Sequence, residues 1–171
     1  APTGNVGESV SGWLPGEGAG AVVLKLLEQA QTDEDVIHAV IESVAFESGI
    51  TPDSVARSAT AALKSTGVSP EQVGFVSMHA SGIPEEDAAE VAGLHQTYSE
   101  AALGSAKAHL GHTFAASGMA SLLQAVVALR QRTIPGVPKW NSPKESEALE
   151  SGSLYVPTES RPWLRNAGDA P

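Results

Sequence analysis

The stretch GSAKAHLGHTFAASG at residues 104–118 places a lysine and two histidines among small residues, directly before a long apolar segment. Upstream, VGFVSM at residues 73–78 is typical of a buried strand, and His79 follows its C-terminal end. Open α/β sheets bind ligands in the crevice outside the carboxyl ends of their strands. The sequence therefore predicts a functional site that brings together His79, Lys107 and His112.

The composition is that of an ordinary globular protein. The 171 residues are 42% hydrophobic and 18% charged, which suits one domain with a buried core. No apolar run reaches the length of a membrane span and no signal peptide is recognisable, so we expect a cytoplasmic protein that does not enter a membrane. The chain contains no cysteine, which excludes disulfides, thiolate metal sites and a cysteine nucleophile within these residues.

The charge is strongly acidic and unevenly distributed. A net charge of −10 argues against nucleic acid as a partner, because the phosphate backbone must be neutralised by cations. Up to Leu129 the chain has 4 basic and 15 acidic residues, and from Arg130 onward it has 6 basic and 5 acidic ones. Residues 130–171 are thus the part of the chain that is not expected to repel an acidic protein. Solvated surface charge is the simpler explanation of the same pattern.

Hydrophobic runs and helix-end signals predict strands and helices that alternate around a mostly buried sheet, an α/β architecture. The predicted strands cover residues 19–27, 36–46, 73–78, 101–106 and 154–156. The predicted helices cover residues 52–66, 84–100 and 114–132. Thr51 and Gly67 suit the two ends of the first helix, and Thr113 can cap the last. That last helix is apolar on nearly every face, which is typical of a buried helix. Trp163, in the sequence Arg-Pro-Trp, is expected to anchor the packing.

Other polar features have a structural explanation that we weigh above a functional one. The glycines within residues 16–20 precede a predicted strand, so they favour tight backbone passage over a dinucleotide loop. His38 lies among apolar residues and is expected to be packed. The acidic residues at 85–87 fill a first helical turn, where the helix dipole favours anions, so we predict surface charge over paired catalytic carboxylates or a metal site. His109 and His112 form an H-x-x-H pair without a third ligand nearby, so we predict no metal site.

Four stretches, in order, resemble the β-ketoacyl synthases, condensing enzymes of the thiolase-like superfamily. SAKAHLGHTFAASG at residues 105–118 resembles the motif around their second histidine. HASGIP at residues 79–84, followed by Asp87 and Glu90, resembles an altered first-histidine motif. WLPGEGAGAVVLK at residues 13–25 resembles the strand that follows the nucleophile region, and RPW at residues 161–163 resembles a segment near the end of the family. The resemblance is strongest to the synthases and chain-length factors of polyketide and polyunsaturated fatty acid systems.

The resemblance implies a role for individual side chains. His79 and His112 would donate hydrogen bonds to the enolate oxygen that forms when carbon dioxide leaves a malonyl thioester, a task for neutral donors. Lys107 would hold the polar network and the charge balance around the second histidine. Ser81 and Thr113 would line the passage for the pantetheine arm. No bound cofactor is implied, because the substrates would arrive on the phosphopantetheine of an acyl carrier protein.

The resemblance also implies a thiolase-like, layered α/β/α fold of which residues 1–171 are a part. Residues 1–48 would close its N-terminal half, and residues 49–171 would form a C-terminal half truncated before its last strands. The nucleophilic cysteine of the family would then lie upstream of Ala1. We therefore expect the missing N-terminal half as a partner, in a homodimer or in a heterodimer of synthase and chain-length factor.

Two departures from the motif leave alternatives open. Ala80 stands where the family has glycine, and Ile83 stands where it has a threonine that bonds the pantetheine arm. Retention of both histidines and the lysine favours part of an active fatty acid or polyketide ketosynthase. The altered loop favours the same half of a non-catalytic, chain-length-factor-like homologue. A free-standing carrier-binding module is the third interpretation.

Overall fold

A parallel three-stranded sheet lies at the centre of the computed structural model, which describes residues 14–137, Leu149 and residues 154–164. Its strands, in spatial order, are β1 (Phe75–Ser77), β2 (Ala101–Gly104) and β4 (Leu154–Tyr155). A second sheet pairs the antiparallel strands β3 (Thr133–Ile134) and β5 (Arg161–Pro162). The predicted strands at 73–78, 101–106 and 154–156 are thus confirmed, each as a shorter element.

The helices follow the predicted end signals. They are α1 (Leu27–Thr32), α2 (Pro52–Thr66), α3 (Pro84–Thr97), α4 (Lys107–Leu110) and α5 (Ser117–Gln131), with 3₁₀ turns at Pro70–Gln72 and Phe114–Ala116. At the start of α2, the Ser54 backbone N–H donates to Thr51 Oγ1 at 3.2 Å and the Thr51 N–H donates to Ser54 Oγ at 2.9 Å. Gly67 ends the helix at φ 75°, a conformation that glycine adopts without strain. The predicted capping of α2 is confirmed.

Helices cover both faces of the central sheet. Val91 and Leu94 of α3 pack with Leu103 on one face. On the other face, Ser77 Oγ of β1 donates to Gln124 Oε1 of α5 at 3.0 Å. The neighbouring Ala102 belongs to a separate apolar cluster, as expected for successive residues of a strand. The result is an α/β/α layering, with α3 as the crossover between the parallel strands β1 and β2.

Trp163 anchors the second sheet to the first, as predicted. Its ring meets the Phe75 ring edge-on at 6.2 Å, and its backbone N–H donates to the Arg132 carbonyl at 2.7 Å. Gly74 makes room for it, because a Cβ there would lie 2.5 Å from Trp163 Nε1.

The predictions for the first 50 residues and for the long apolar helix are wrong in part. Residues 19–27 and 36–46 form no strand, since the described residues offer them no neighbouring strand to pair with. Their apolar side chains are exposed, Val23 at 98% and Phe46 at 89%, and His38 is exposed instead of packed. The apolar helix α5 forms as predicted, but Ala128 is its one fully buried residue among those described.

Two further points concern membrane-spanning helices and the extent of the described residues. Within the described residues, no helix is both long and apolar enough to cross a membrane. Trp13, residues 138–148 and residues 150–153 lie outside the described residues.

Candidate functional site

His79 is delivered to the carboxyl edge of the sheet by β1. The strand ends at Ser77, and the Met78 N–H donates to the Gly104 carbonyl at 2.7 Å, which carries the pairing with β2 one step further. His79 follows in the loop that leads to α3, and its side chain is exposed. The position agrees with the prediction that this histidine lies just beyond a buried strand.

Lys107 comes from the end of the neighbouring strand, β2, and is buried at 5% exposure. Its Nζ donates to the His79 carbonyl oxygen and lies 3.1 Å from His79 Nδ1. An ammonium group has donors only, so Nδ1 is the acceptor and the neutral ring carries its proton on Nε2. Lys107 therefore fixes both the backbone and the tautomer of His79.

His112 is held by the backbone of residues 14–16, which passes close to it because glycine stands at position 16. The His112 N–H donates to the Leu14 carbonyl at 2.8 Å, and the Gly16 N–H donates to the His112 carbonyl at 3.0 Å. A Cβ at Gly16 would lie 2.0 Å from the Leu110 carbonyl oxygen, so only glycine fits there. The prediction that the glycines of residues 16–20 serve backbone passage is confirmed at this position.

The ring of His112 has a defined tautomer as well. The Phe114 N–H donates to His112 Nδ1 at 2.9 Å, and the Phe114 ring stacks on the imidazole at 4.9 Å. Since Nδ1 accepts, the neutral ring again carries its proton on Nε2. Phe114 adopts φ 48°, and sequence analysis gave no indication of its stacking role. Thr113, predicted to cap the helix through its side chain, makes no such capping bond.

The two imidazoles face each other at right angles, with centroids 6.4 Å apart and an interplanar angle of 88°. A hydrogen bond from a ring nitrogen places the acceptor oxygen about 4 Å from the ring centroid. Two such donors with centroids 6.4 Å apart would therefore subtend roughly 105° at one shared oxygen, close to its lone-pair directions. The spacing of the two rings thus leaves room for one oxygen atom within hydrogen-bond reach of both.

The electrostatics favour neutral imidazoles. His79 is exposed in part, and the burial of the rest of its surface lowers its pKa. The Lys107 ammonium lowers the pKa further, as does His112 when it is protonated, while Glu86 acts in the opposite sense. Burial and Lys107 likewise lower the pKa of His112. Both rings therefore remain uncharged hydrogen-bond donors to a lower pH than ordinary histidines do.

Two carboxylates of α3, which follow the first-histidine motif in the sequence, hold the loop that carries His79, a contact that the sequence did not predict. Glu90 Oε1 accepts from the His79 N–H at 2.6 Å, and its Oε2 accepts from the Ala80 N–H at 2.8 Å. Asp87, predicted to be surface charge, is buried at 1% exposure and accepts from the Gly82 N–H at 3.1 Å. The prediction for Asp87 is wrong because its carboxylate turns back onto the loop, three residues before Glu90 and so on the same helix face.

Ser81 and Thr113 lie in different surroundings. The Ser81 hydroxyl is buried, donates to Asp87 Oδ1 at 3.3 Å and accepts from the Ile83 N–H at 3.1 Å. It lines a cavity of about 210 Å³ together with His79. Thr113 is buried at 8% exposure and lines a separate, largely apolar cavity of about 430 Å³ along α5. Their contribution to a pantetheine passage stays a prediction.

Metal ligands do not gather at this site. His109 lines the larger cavity and His112 faces His79. Among the described residues, no group of three or more histidine, aspartate or glutamate side chains is placed to hold a metal ion.

Comparison with protein families places most of the chain in one of them. Residues 38–141 match the family described as "Beta-ketoacyl synthase, C-terminal domain". This match covers His79, Lys107 and His112.

Similar proteins point in the same direction. Polyketide synthase PksL of Bacillus subtilis is 33% identical over 172 residues, which cover 90% of this chain and 4% of PksL. Polyketide synthase ThaQ of Burkholderia thailandensis is 36% identical over 174 residues, which cover 93% of this chain and 8% of ThaQ. The chain thus spans a small part of these relatives.

Among solved structures, the ketosynthase from module 6 of the bacillaene synthase of Bacillus subtilis is similar at TM-score 0.85 and 30% identity. The match covers 96% of this chain and 33% of that ketosynthase. The described α/β/α layers are therefore those of a ketosynthase, and the predicted thiolase-like fold is confirmed.

Proposed function

Since the chain belongs to the family of β-ketoacyl synthase C-terminal domains, we propose that it supplies the His/His/Lys part of a condensing enzyme in polyketide synthesis. The observation that carries the proposal is the pair of facing imidazoles, both held with Nδ1 as acceptor. The reaction is the decarboxylative Claisen condensation of an acyl thioester with a malonyl thioester, an acyl transfer.

The proposed chemistry assigns one step to this pair. When the malonyl C–C bond breaks, carbon dioxide leaves and the bonding electrons become an enolate on the thioester. The Nε2–H groups of His79 and His112 donate to the enolate oxygen, which stabilises the charge as it develops. The enolate carbon then attacks the acyl thioester carbonyl and expels the thiolate that carried the acyl group. Lys107 keeps His79 aimed and neutral.

Other parts of the proposal rest on the family. The chain has no cysteine, so the nucleophile comes from polypeptide outside these residues, in the missing N-terminal half. An acyl carrier protein delivers the substrates on its phosphopantetheine, and Ser81 and Thr113 lie near that arm. The complete domain is a cytoplasmic dimer. The sequence and fold of its relatives give no preference to the chain-length-factor alternative over this condensing role.

The test is condensation by the complete polypeptide, measured by mass spectrometry of the carrier-bound product. Substituting His79→Ala or His112→Ala is expected to lower the rate roughly 10²–10³-fold, since each removes one donor to the oxyanion. His95→Ala, at an exposed position near the end of α3, is the matched control and should leave the rate unchanged. Full condensation activity in both site variants would refute the proposal.

A further inference from the structure

The segment that follows His112 returns to the histidine ring at Ser117. The 3₁₀ turn Phe114–Ala116 folds the chain back, so that the Ser117 hydroxyl lies 3.3 Å from His112 Nδ1. The same hydroxyl lies 3.4 Å from Thr113 Oγ1. Sequence analysis assigned no role to this serine. One half-buried hydroxyl thus lies within hydrogen-bond reach of two residues of the candidate site.

The Ser117 side chain does not serve the helix that it begins. A serine at the start of a helix commonly accepts a hydrogen bond from a backbone N–H of the first turn. The N-cap of α5 is Ala116, and no side chain makes a capping bond at this end. The Ser117 hydroxyl instead makes its hydrogen-bond contacts, within the part of the chain that the structure describes, to His112 and Thr113.

The direction of each bond follows from counting protons. His112 Nδ1 accepts from the Phe114 N–H at 2.9 Å, so the neutral ring has no proton there to give. Ser117 must therefore donate to Nδ1, and a serine hydroxyl has only one proton. At its contact with Thr113 the Ser117 oxygen then accepts, and the Thr113 hydroxyl donates. The three groups form a hydrogen-bonded chain that runs from Thr113 through Ser117 to His112.

This chain acts on the His112 ring in two ways. Two donors occupy Nδ1, which leaves the proton of the neutral ring on Nε2, the nitrogen proposed to face the enolate oxygen. A hydroxyl that accepts a hydrogen bond also becomes a stronger donor, so the Thr113 bond strengthens the bond from Ser117 to the ring. Both contacts are longer than the common distances for such bonds, so a modest contribution is expected.

We propose that Ser117 is a positioning residue: its hydroxyl passes a hydrogen bond from Thr113 to His112 Nδ1 and holds the ring with its Nε2–H towards the site. The inference rests on the proposed function, because His112 is one of the two proposed donors to the enolate oxygen. It adds a residue of the first turn of α5 that acts through His112 and not on the substrate itself.

Carbon dioxide release by the complete polypeptide tests the effect on the reaction. Ser117→Ala removes the hydroxyl and is expected to lower kcat about 2–10-fold, the net value of one hydrogen bond. The value of KM should not change, because an interaction that acts only in the transition state lowers kcat and kcat/KM equally. Ser117→Thr keeps a hydroxyl and should restore the native rate. Ser121→Ala, one turn further along α5, is the matched control.

An NMR measurement separates this role from activity. The ¹⁵N shift of His112 Nδ1 reports the hydrogen bonds that this nitrogen accepts, so it should change in Ser117→Ala and return in Ser117→Thr. Thr113→Val should move the same resonance less, because Thr113 acts through Ser117. In a Ser117→Ala background, Thr113→Val should then add nothing, which a double-mutant cycle measures. If condensation is absent but these shifts are seen, the proposed function fails and the contact of Ser117 with the ring stands.

Three results would overturn the inference. The first is a His112 Nδ1 shift that Ser117→Ala leaves unchanged. The second is an equal effect of Thr113→Val with and without the Ser117 hydroxyl, which would show that Thr113 acts on the ring directly. The third is a native kcat in Ser117→Ala despite a changed shift. Alanine is the best helix former, so Ser117→Ala is expected to fold and each result can be read.

Discussion

A single methyl group at Gly104 should separate the two strands that carry the site. Gly104 ends β2, and a Cβ built there would lie 2.7 Å from Phe75 Cε2 and 2.9 Å from Phe75 Cζ, both closer than real contacts allow. The Phe75 ring is held by Trp163 at 6.2 Å, so it cannot swing aside freely. Gly104→Ala must therefore displace β1 relative to β2.

The expected magnitude follows from this overlap. Overpacking by one methyl in a well-packed core costs about 1–3 kcal/mol of unfolding free energy. In a domain of 150–250 residues that corresponds to a fall in Tm of roughly 2–12 °C, and in a larger complete domain to a smaller fall. Since β1 leads to His79 and β2 to Lys107, a displacement of about 1 Å should also lower the condensation rate about 10²-fold.

Urea unfolding and condensation rates of the complete polypeptide test this prediction. Gly118→Ala is the control, because a Cβ at Gly118 meets no described atom within 4 Å. The Gly104→Ala/Phe75→Leu double variant removes the two ring carbons that clash and should recover part of the stability. A native midpoint and native rate in Gly104→Ala would show that the strand contact does not position the site.

Three further outcomes are expected. Lys107→Met removes a cation that lowers the pKa of His79 and His112, so both pKa values should rise in an NMR titration and the rings should become charged at a higher pH. The control Lys64→Met, at an exposed position, should leave both pKa values unchanged. Thr51→Ala breaks the capping box of α2 and should lower the unfolding free energy by about 1 kcal/mol, read from the urea midpoint. The isolated chain should bind a hydrophobic dye and associate, given its exposed apolar residues, and a dye-silent monomer in light scattering would contradict this.

Local signals predicted most of the described fold. Thr51 and Gly67 delimit α2 because their cap chemistry acts within a few residues, which a sequence displays directly. The same holds for the strand before His79 and for the close passage at Gly16. The placement of His79, Lys107 and His112 near one another followed from the rule that parallel strands end at a common edge.

Features that depend on distant partners were not predictable in this way. Residues 19–27 and 36–46 have strand-like composition, but a strand exists only where a neighbour accepts its hydrogen bonds. Asp87 and Glu90 follow the first-histidine motif in the sequence, but only the return of the loop onto α3 shows that they bind its amides. The stacking of Phe114 on His112 depends on a positive φ that the sequence does not indicate.

Release of carbon dioxide from a malonyl thioester tests the central claim most directly, because it isolates the step assigned to the two imidazoles. It should be measured in the complete polypeptide under single-turnover conditions, alongside acyl loading of the nucleophile. We expect His79→Ala and His112→Ala each to slow release roughly 10²–10³-fold while loading continues. Native rates of release in both variants would contradict the claim that these rings stabilise the enolate.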